Sequence, residues 1–122
     1  MSLIDDPSSR LLGVLLDAAA LRARVLAGNV ANQNTPGYTR QVVRFEELLR
    51  SAVERGRSAA ELGQFAPRVE ADRQTPARAD GNNVNLELEL SAARENRLLY
   101  EMYAAIRSGR SELIRAAIES GR

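Results

Sequence analysis

Neither cysteine nor histidine occurs in this chain, tryptophan is also absent, and aromatic residues make up only 4% of it. Without cysteine there is no disulfide, no thiolate nucleophile and no thiolate metal site, and redox compartment leaves no trace in the sequence. Without histidine the commonest metal ligand and general base is missing. No cofactor or metal is expected, and most enzyme chemistry is already disfavoured. The aromatics are Tyr38, Phe45, Phe65, Tyr100 and Tyr103. Aliphatic and alanine contacts must therefore do most of the packing, which favours helix on helix over a β-sandwich.

Lysine is absent too: all 17 basic residues are arginine, set against 16 acids for a net charge of +1. The signs are interspersed, so no single-sign field draws in nucleic acid or anionic lipid. The arginine usage fits biased genomic composition or an interface rich in bidentate contacts. No run is long and apolar enough to span a bilayer. Met1 to Asp6 lacks a basic leader region, and Arg10, Asp17, Arg22 and Arg24 interrupt the apolar stretch that follows. No cleaved leader is therefore expected.

What is present is helical periodicity at both ends of one domain-sized unit, residues 1–122. From residue 9 to 34, Leu11, Val14, Ala18, Leu21, Val25, Gly28 and Asn32 keep a three-four repeat, the seam of a coiled coil. Pro7-Ser8-Ser9 supplies the start signal. Pro36 pushes the preceding residue out of the α region, so the helix should stop by Asn34. Thr35-Pro36-Gly37-Tyr38 then matches a type II turn. Residues 35–83 form a turn, a short helix from Phe45 to Val53 stopped near Gly56, and a weakly patterned loop region from Arg57 onward. That region carries a short strand at Phe65 to Val69 and is expected to be mobile. A second long helix is expected over residues 85–120, capped by Asn85, with a seam of Leu88, Ala92, Glu95, Leu99, Met102, Ile106, Gly109, Leu113 and Ala117. The fold expected is mainly all-α: long terminal helices pairing as a coiled-coil-like bundle around a loop-rich middle.

The stretch "AGNVANQNTPGY", within residues 27–38, resembles the "NNIANxNTPGY" signature of the bacterial flagellar axial protein family, which includes rod, hook and hook-associated subunits. The large inserted domains of hook and distal-rod subunits are missing. Asp80-Gly81-Asn82-Asn83-Val84-Asn85-Leu86-Glu87, with Glu95-Asn96-Arg97-Leu98-Leu99-Tyr100, resembles the "DGNxVDLxxE…ENxLxYQ" pattern of the proximal-rod subunits, the FlgB type, more than the closing helix of the FlgC type. Val43-Arg44-Phe45 is similar to the "VDF" after the family turn. Asn85 departs from the usual aspartate and Glu101 from the usual glutamine; asparagine caps a helix about as well as aspartate.

The resemblance implies a structural subunit of the proximal rod, polymerising through its terminal helices as part of the drive-shaft. It implies export by the flagellar type III apparatus, residence in the basal body across the periplasmic space, and assembly with FlgC-type subunits, the FliE-type rod-base adaptor and further copies. It implies neither nucleic-acid binding nor direct membrane insertion. Alternatives are another short axial subunit of the FlgC type, a non-flagellar helical adaptor, or an arginine-rich nucleic-acid module; the last lacks a basic stripe with stacking aromatics.

Read from the residues alone, Asn29, Asn32 and Gln33 are either a solvated helix end or amides that bond across a packed boundary. The resemblance favours the boundary and extends it over Asn34, Thr35, Pro36, Gly37 and Tyr38. Leu11, Leu21 and Val25 on one helix, with Leu99, Met102, Ile106 and Leu113 on the other, are the expected assembly seams. Leu12, Leu15, Leu16, Leu26, Leu98, Ile114 and Ile118 extend the apolar surface beyond them. The carboxylate pairs Asp5-Asp6, Glu46-Glu47 and Glu87-Glu89 read as helix-start charge or solvated surface, with no nucleophile-base-orienter set beside them. Gly109 reads as relief of crowding between helices.

Overall fold

The computed structural model describes residues 6–120. Met1 to Asp5 lie outside the described residues, and with them most of the stretch read for a leader and one member of the Asp5-Asp6 pair. The fold is mainly helical with two long terminal helices, as the sequence leads one to expect; these are paired, and the middle holds a small two-stranded sheet where one short strand was expected. No helix among the described residues is long and apolar enough to cross a membrane.

Helix α1 spans Pro7–Ala31. It begins two residues earlier than expected because Asp6 caps it, accepting the Ser9 N–H at 2.7 Å, while Pro7 occupies a first-turn position where its missing N–H costs nothing. It also ends three residues earlier. The Asn32 side-chain amide donates to the Gly28 carbonyl at 2.8 Å and its backbone N–H reaches the same oxygen at 3.1 Å. Asparagine thus takes over a last-turn carbonyl and closes the helix before the proline has to. Tyr38 N–H donates to Thr35 O at 3.2 Å and Gly37 sits at φ +74°, the geometry of the expected turn.

Strand β1, Gln41–Arg44, follows and pairs antiparallel with β2, Arg68–Ala71, with Val43 opposite Val69. β2 lies further along than the expected strand, and β1 was not anticipated; strands of four residues are too short to leave a clear alternation. Between them lie α2, Glu46–Glu54, and α3, Ala59–Leu62, whose Ser58 cap and buried Leu62 escape a periodicity reading because the helix is one turn long. Helix α4 spans Leu86–Ser120, and Asn85 Oδ1 accepts the N–H groups of Glu87 at 3.1 Å and Leu88 at 3.3 Å.

The pairing of α1 with α4 is antiparallel: Asn29 meets Glu89, the Ala19 carbonyl meets Asn96 and Asp6 meets Arg110. The expected seams are displaced. On α1 the buried residues are Leu12, Leu16, Ala18, Ala19, Leu26 and Asn29, whereas Leu11, Leu21 and Val25 are only half-buried. On α4 they are Glu89, Asn96 and Tyr103, while Leu88, Met102, Ile106 and Leu113 are exposed and Leu99 is half-buried. A polar row, not the apolar one, faces α1, where Glu89 meets Asn29 and Asn96 meets Arg22 and the Ala19 carbonyl. Gly109 relieves no crowding, since a β-carbon on it would meet nothing within 4 Å. Apolar packing elsewhere centres on Phe45, 1% exposed, with Val43, Ala52, Leu62 and Val84. The middle is not a loose loop: Asp72, Asn82 and Asn83 are buried in it, and each is hydrogen-bonded.

Candidate functional site

The end of α1, the turn after it and the stretch leading into α4 converge on one buried polar knot. Asn29, fully buried, holds four partners: its amide nitrogen donates to Gln41 O at 2.8 Å and Glu89 Oε2 at 3.1 Å, and its oxygen accepts from Gln41 N–H at 2.9 Å and the Tyr38 hydroxyl at 3.1 Å. A helix-weakening residue is tolerated there because both ends of its amide are used.

Arg40 links the two sides of the knot. Its Nε donates to Glu89 Oε1 at 2.5 Å and its Nη1 to Asp72 Oδ2 at 2.6 Å. Glu89 is 1% exposed, so it is neither solvated surface nor simply helix-start charge; it is the buried counter-ion of Arg40. Burial opposes the charge on Arg40, but hydrogen bonds to Glu89 and Asp72 outweigh it and raise the guanidinium further above its ordinary pKa. The Thr75 hydroxyl, then Arg40, then the Gln74 N–H hold the Asp72 carboxyl far below the usual carboxylate range. A buried carboxylate stays charged here because donors surround it.

Two asparagines fasten the second motif to the first. Asn82, fully buried, donates to Asn32 O at 2.8 Å and Thr35 O at 2.9 Å, while its oxygen accepts the Val84 N–H at 2.7 Å. Asn83 accepts the Arg40 N–H at 2.7 Å and donates to Asp72 O at 2.8 Å. Arg78 Nη2 donates to Gln33 O at 2.6 Å. Gly37 N–H donates to Asp80 O at 2.8 Å, and Gly81, at φ +84°, lies so close to Gly37 that a β-carbon on it would stand 3.2 Å from Gly37 Cα. Two glycine turns are thus nested. Among the described residues no buried side-chain nitrogen or oxygen lacks a partner.

The structure therefore brings Asn29, Asn32 and Tyr38 together, with Gln33, Thr35 and Gly37 contributing backbone groups, while Asn34 and Pro36 remain exposed at the rim. Arg40, Asp72, Asn82, Asn83 and Glu89 complete the knot and are not evident from sequence. The signal available was the similarity of the two stretches, each a glycine turn flanked by asparagines. Away from the knot, Glu46 receives Arg22 Nη1 at 2.8 Å, and among the described residues no acidic cluster is placed to hold a metal ion. Along the outside of α4, Leu88, Met102, Ile106 and Leu113 line up beside Leu99 with no cover from the chain itself.

The chain is thus an antiparallel pair of long helices, joined at one end by a polar knot and carrying an exposed apolar row. The chain is 29% identical to the flagellar basal body rod protein FlgB of Escherichia coli K12, across 95% of this chain and 96% of that one. It is 30% identical to FlgB of Salmonella typhimurium, over 80% and 82% of the two chains, and 31% identical to FlgB of Aquifex aeolicus, over 72% and 73%. No family model matches the chain. It belongs to the FlgB family of flagellar basal body rod proteins.

Proposed function

We propose that the chain is a structural subunit of the flagellar basal-body rod that works by packing rather than by catalysis. The observation that carries this is the row Leu88, Leu99, Met102, Ile106 and Leu113 on the outer side of α4, where Leu113 is 72% and Ile106 46% exposed. A row of large apolar side chains on a helix already paired elsewhere is stabilised only by a further helix. Rod neighbours supply it: FlgC-type subunits, the FliE-type adaptor at the rod base, and other copies of this chain. The half-buried face of Leu11, Leu21 and Val25 and the rim of the knot at Asn34 and Pro36 complete the assembly surface. The subunit reaches the periplasmic span of the basal body through the flagellar type III apparatus, without nucleic-acid binding or membrane insertion.

Ile106→Asp tests this. The side chain is half-exposed, so the charge stays hydrated in the free subunit and the fold survives; in an assembled rod it would be buried without a partner. The expected result, in a strain lacking the wild-type copy, is normal protein by immunoblot but no completed basal bodies by electron microscopy and no motility. Complete basal bodies containing the variant would refute the proposal.

A further inference from the structure

Helix α4 carries two rows that could face α1. One is the polar row Glu89, Asn96, Tyr103 and Arg110, spaced at every seventh residue. The other is the apolar row described above, offset from it by roughly 60–100° around the helix at 3.6 residues per turn. Hydrophobic burial alone favours turning the apolar row inward. The structure has it outward.

Along the polar row, partners on other elements meet the side chains. Glu89 receives Arg40 and Asn29. Asn96 donates to Ala19 O at 2.8 Å and accepts from Arg22 Nη1 at 3.2 Å. Tyr103 is 9% exposed, buried in the same row. Arg110 donates to Asp6 Oδ2 at 2.7 Å. A one-residue turn of α4 would carry these groups away from their partners, leaving the Glu89 carboxylate and the Asn96 amide to be satisfied elsewhere. Buried polar groups placed at heptad spacing are the best-attested means of fixing helix register.

We infer that this polar row is a rotational lock: it selects, from two possible faces, the rotation of α4 that holds Leu99, Met102, Ile106 and Leu113 away from α1. Without it the chain would satisfy its own apolar row and present a polar outer surface. The lock is a property of the free chain and does not depend on the rod assignment.

The absence of cysteine makes the test direct. Ile106→Cys places one thiol on the apolar row, and its rate of reaction with a soluble thiol reagent reports exposure. Rates are compared in the otherwise native chain and after Asn96→Ala with Arg110→Ala, which remove the rungs on either side without making the inner face more apolar than the outer row, and leave the knot intact. Both proteins are studied dilute, with monomeric mass checked by sedimentation and helicity by circular dichroism. The expected result is labelling slower by about tenfold, as when the exposed rotation falls to roughly one tenth of its former share. Glu101→Leu, which adds apolar surface off the row, should leave the rate unchanged. If the double variant loses helicity, Asn96→Ala, which removes one rung without adding bulk, is read instead and should still slow labelling by about threefold. Unchanged or faster labelling in a folded variant overturns the lock.

Discussion

At one end of the helix pair Glu89, Arg40 and Asp72 form a buried ionic chain, with Asn29, Asn82 and Asn83 packed around it. At the other, α1 and α4 are tied by Arg110 and Asp6, whose side chains remain about one third exposed, and Ser111 to Ser120 run past the described start of α1 almost wholly in solvent. One helix thus serves two purposes. Its first turns anchor the fold through polar groups that cannot be left unpaired, and its later turns leave apolar side chains exposed.

The contrast is broken most severely at Arg40. Arg40→Met leaves Glu89 and Asp72 buried without their cation and should cost about 3–5 kcal/mol, the usual result of removing one member of a buried ionic set. The expected readout is a large fall in the urea midpoint at unchanged slope.

Next come the nested glycines, which separate backbone strain from crowding. Both have positive φ, but a β-carbon at Gly37 meets nothing within 4 Å, whereas one at Gly81 meets Gly37 Cα. Gly37→Ala should cost about 1 kcal/mol and Gly81→Ala about 2–3 kcal/mol, the second sum including displacement of a neighbouring backbone. Equal costs in urea unfolding would show that the two turns are not pressed together.

A smaller effect is expected from acid. Asp72 has a depressed carboxyl, so its contribution is fully present above the unfolded-state value of about 3.9 and is lost as pH falls below it. Stability should hold from neutral pH to about pH 4.5 and decline below about pH 4. Asp72→Asn should lower the neutral midpoint and flatten that decline; an unaltered acid slope would rule out the role given to Asp72. The smallest effect belongs to the far end: Arg110→Ala should barely move the urea midpoint, because a partly exposed pair contributes little. A drop rivalling that of Arg40→Met would erase the distinction between the ends.

The terminal helices were legible because their periodicity runs for many turns and their start signals are local: Pro7-Ser8-Ser9 for the first, though the Asp6 cap escaped notice, and Asn85 ahead of Glu87 for the second. The rotation of α4 was not. Leu88, Met102, Ile106 and Leu113 have the better coiled-coil spacing, and hydropathy gives no weight to a Glu89 whose partner sits in another segment. The amide-rich stretch after Gly28 was visible as unusual, but the partners that tie it to the second motif lie far along the chain, Glu89 60 residues from Asn29 and Asn82 47 from Thr35. Short β1 and the one-turn α3 left no periodic trace at all.

The sequence distance across the knot also sets an order of events in time. Asn29 cannot meet Glu89, nor Ala19 meet Asn96, until 60 and 77 further residues have followed. At a synthesis rate of about 5–20 residues per second, the first helix waits roughly 3–15 s for its partners. Isolated helices of such length are marginal in water, so the chain passes through its early life open at both ends and closes late. Such a chain stays unlatched until its last third has emerged.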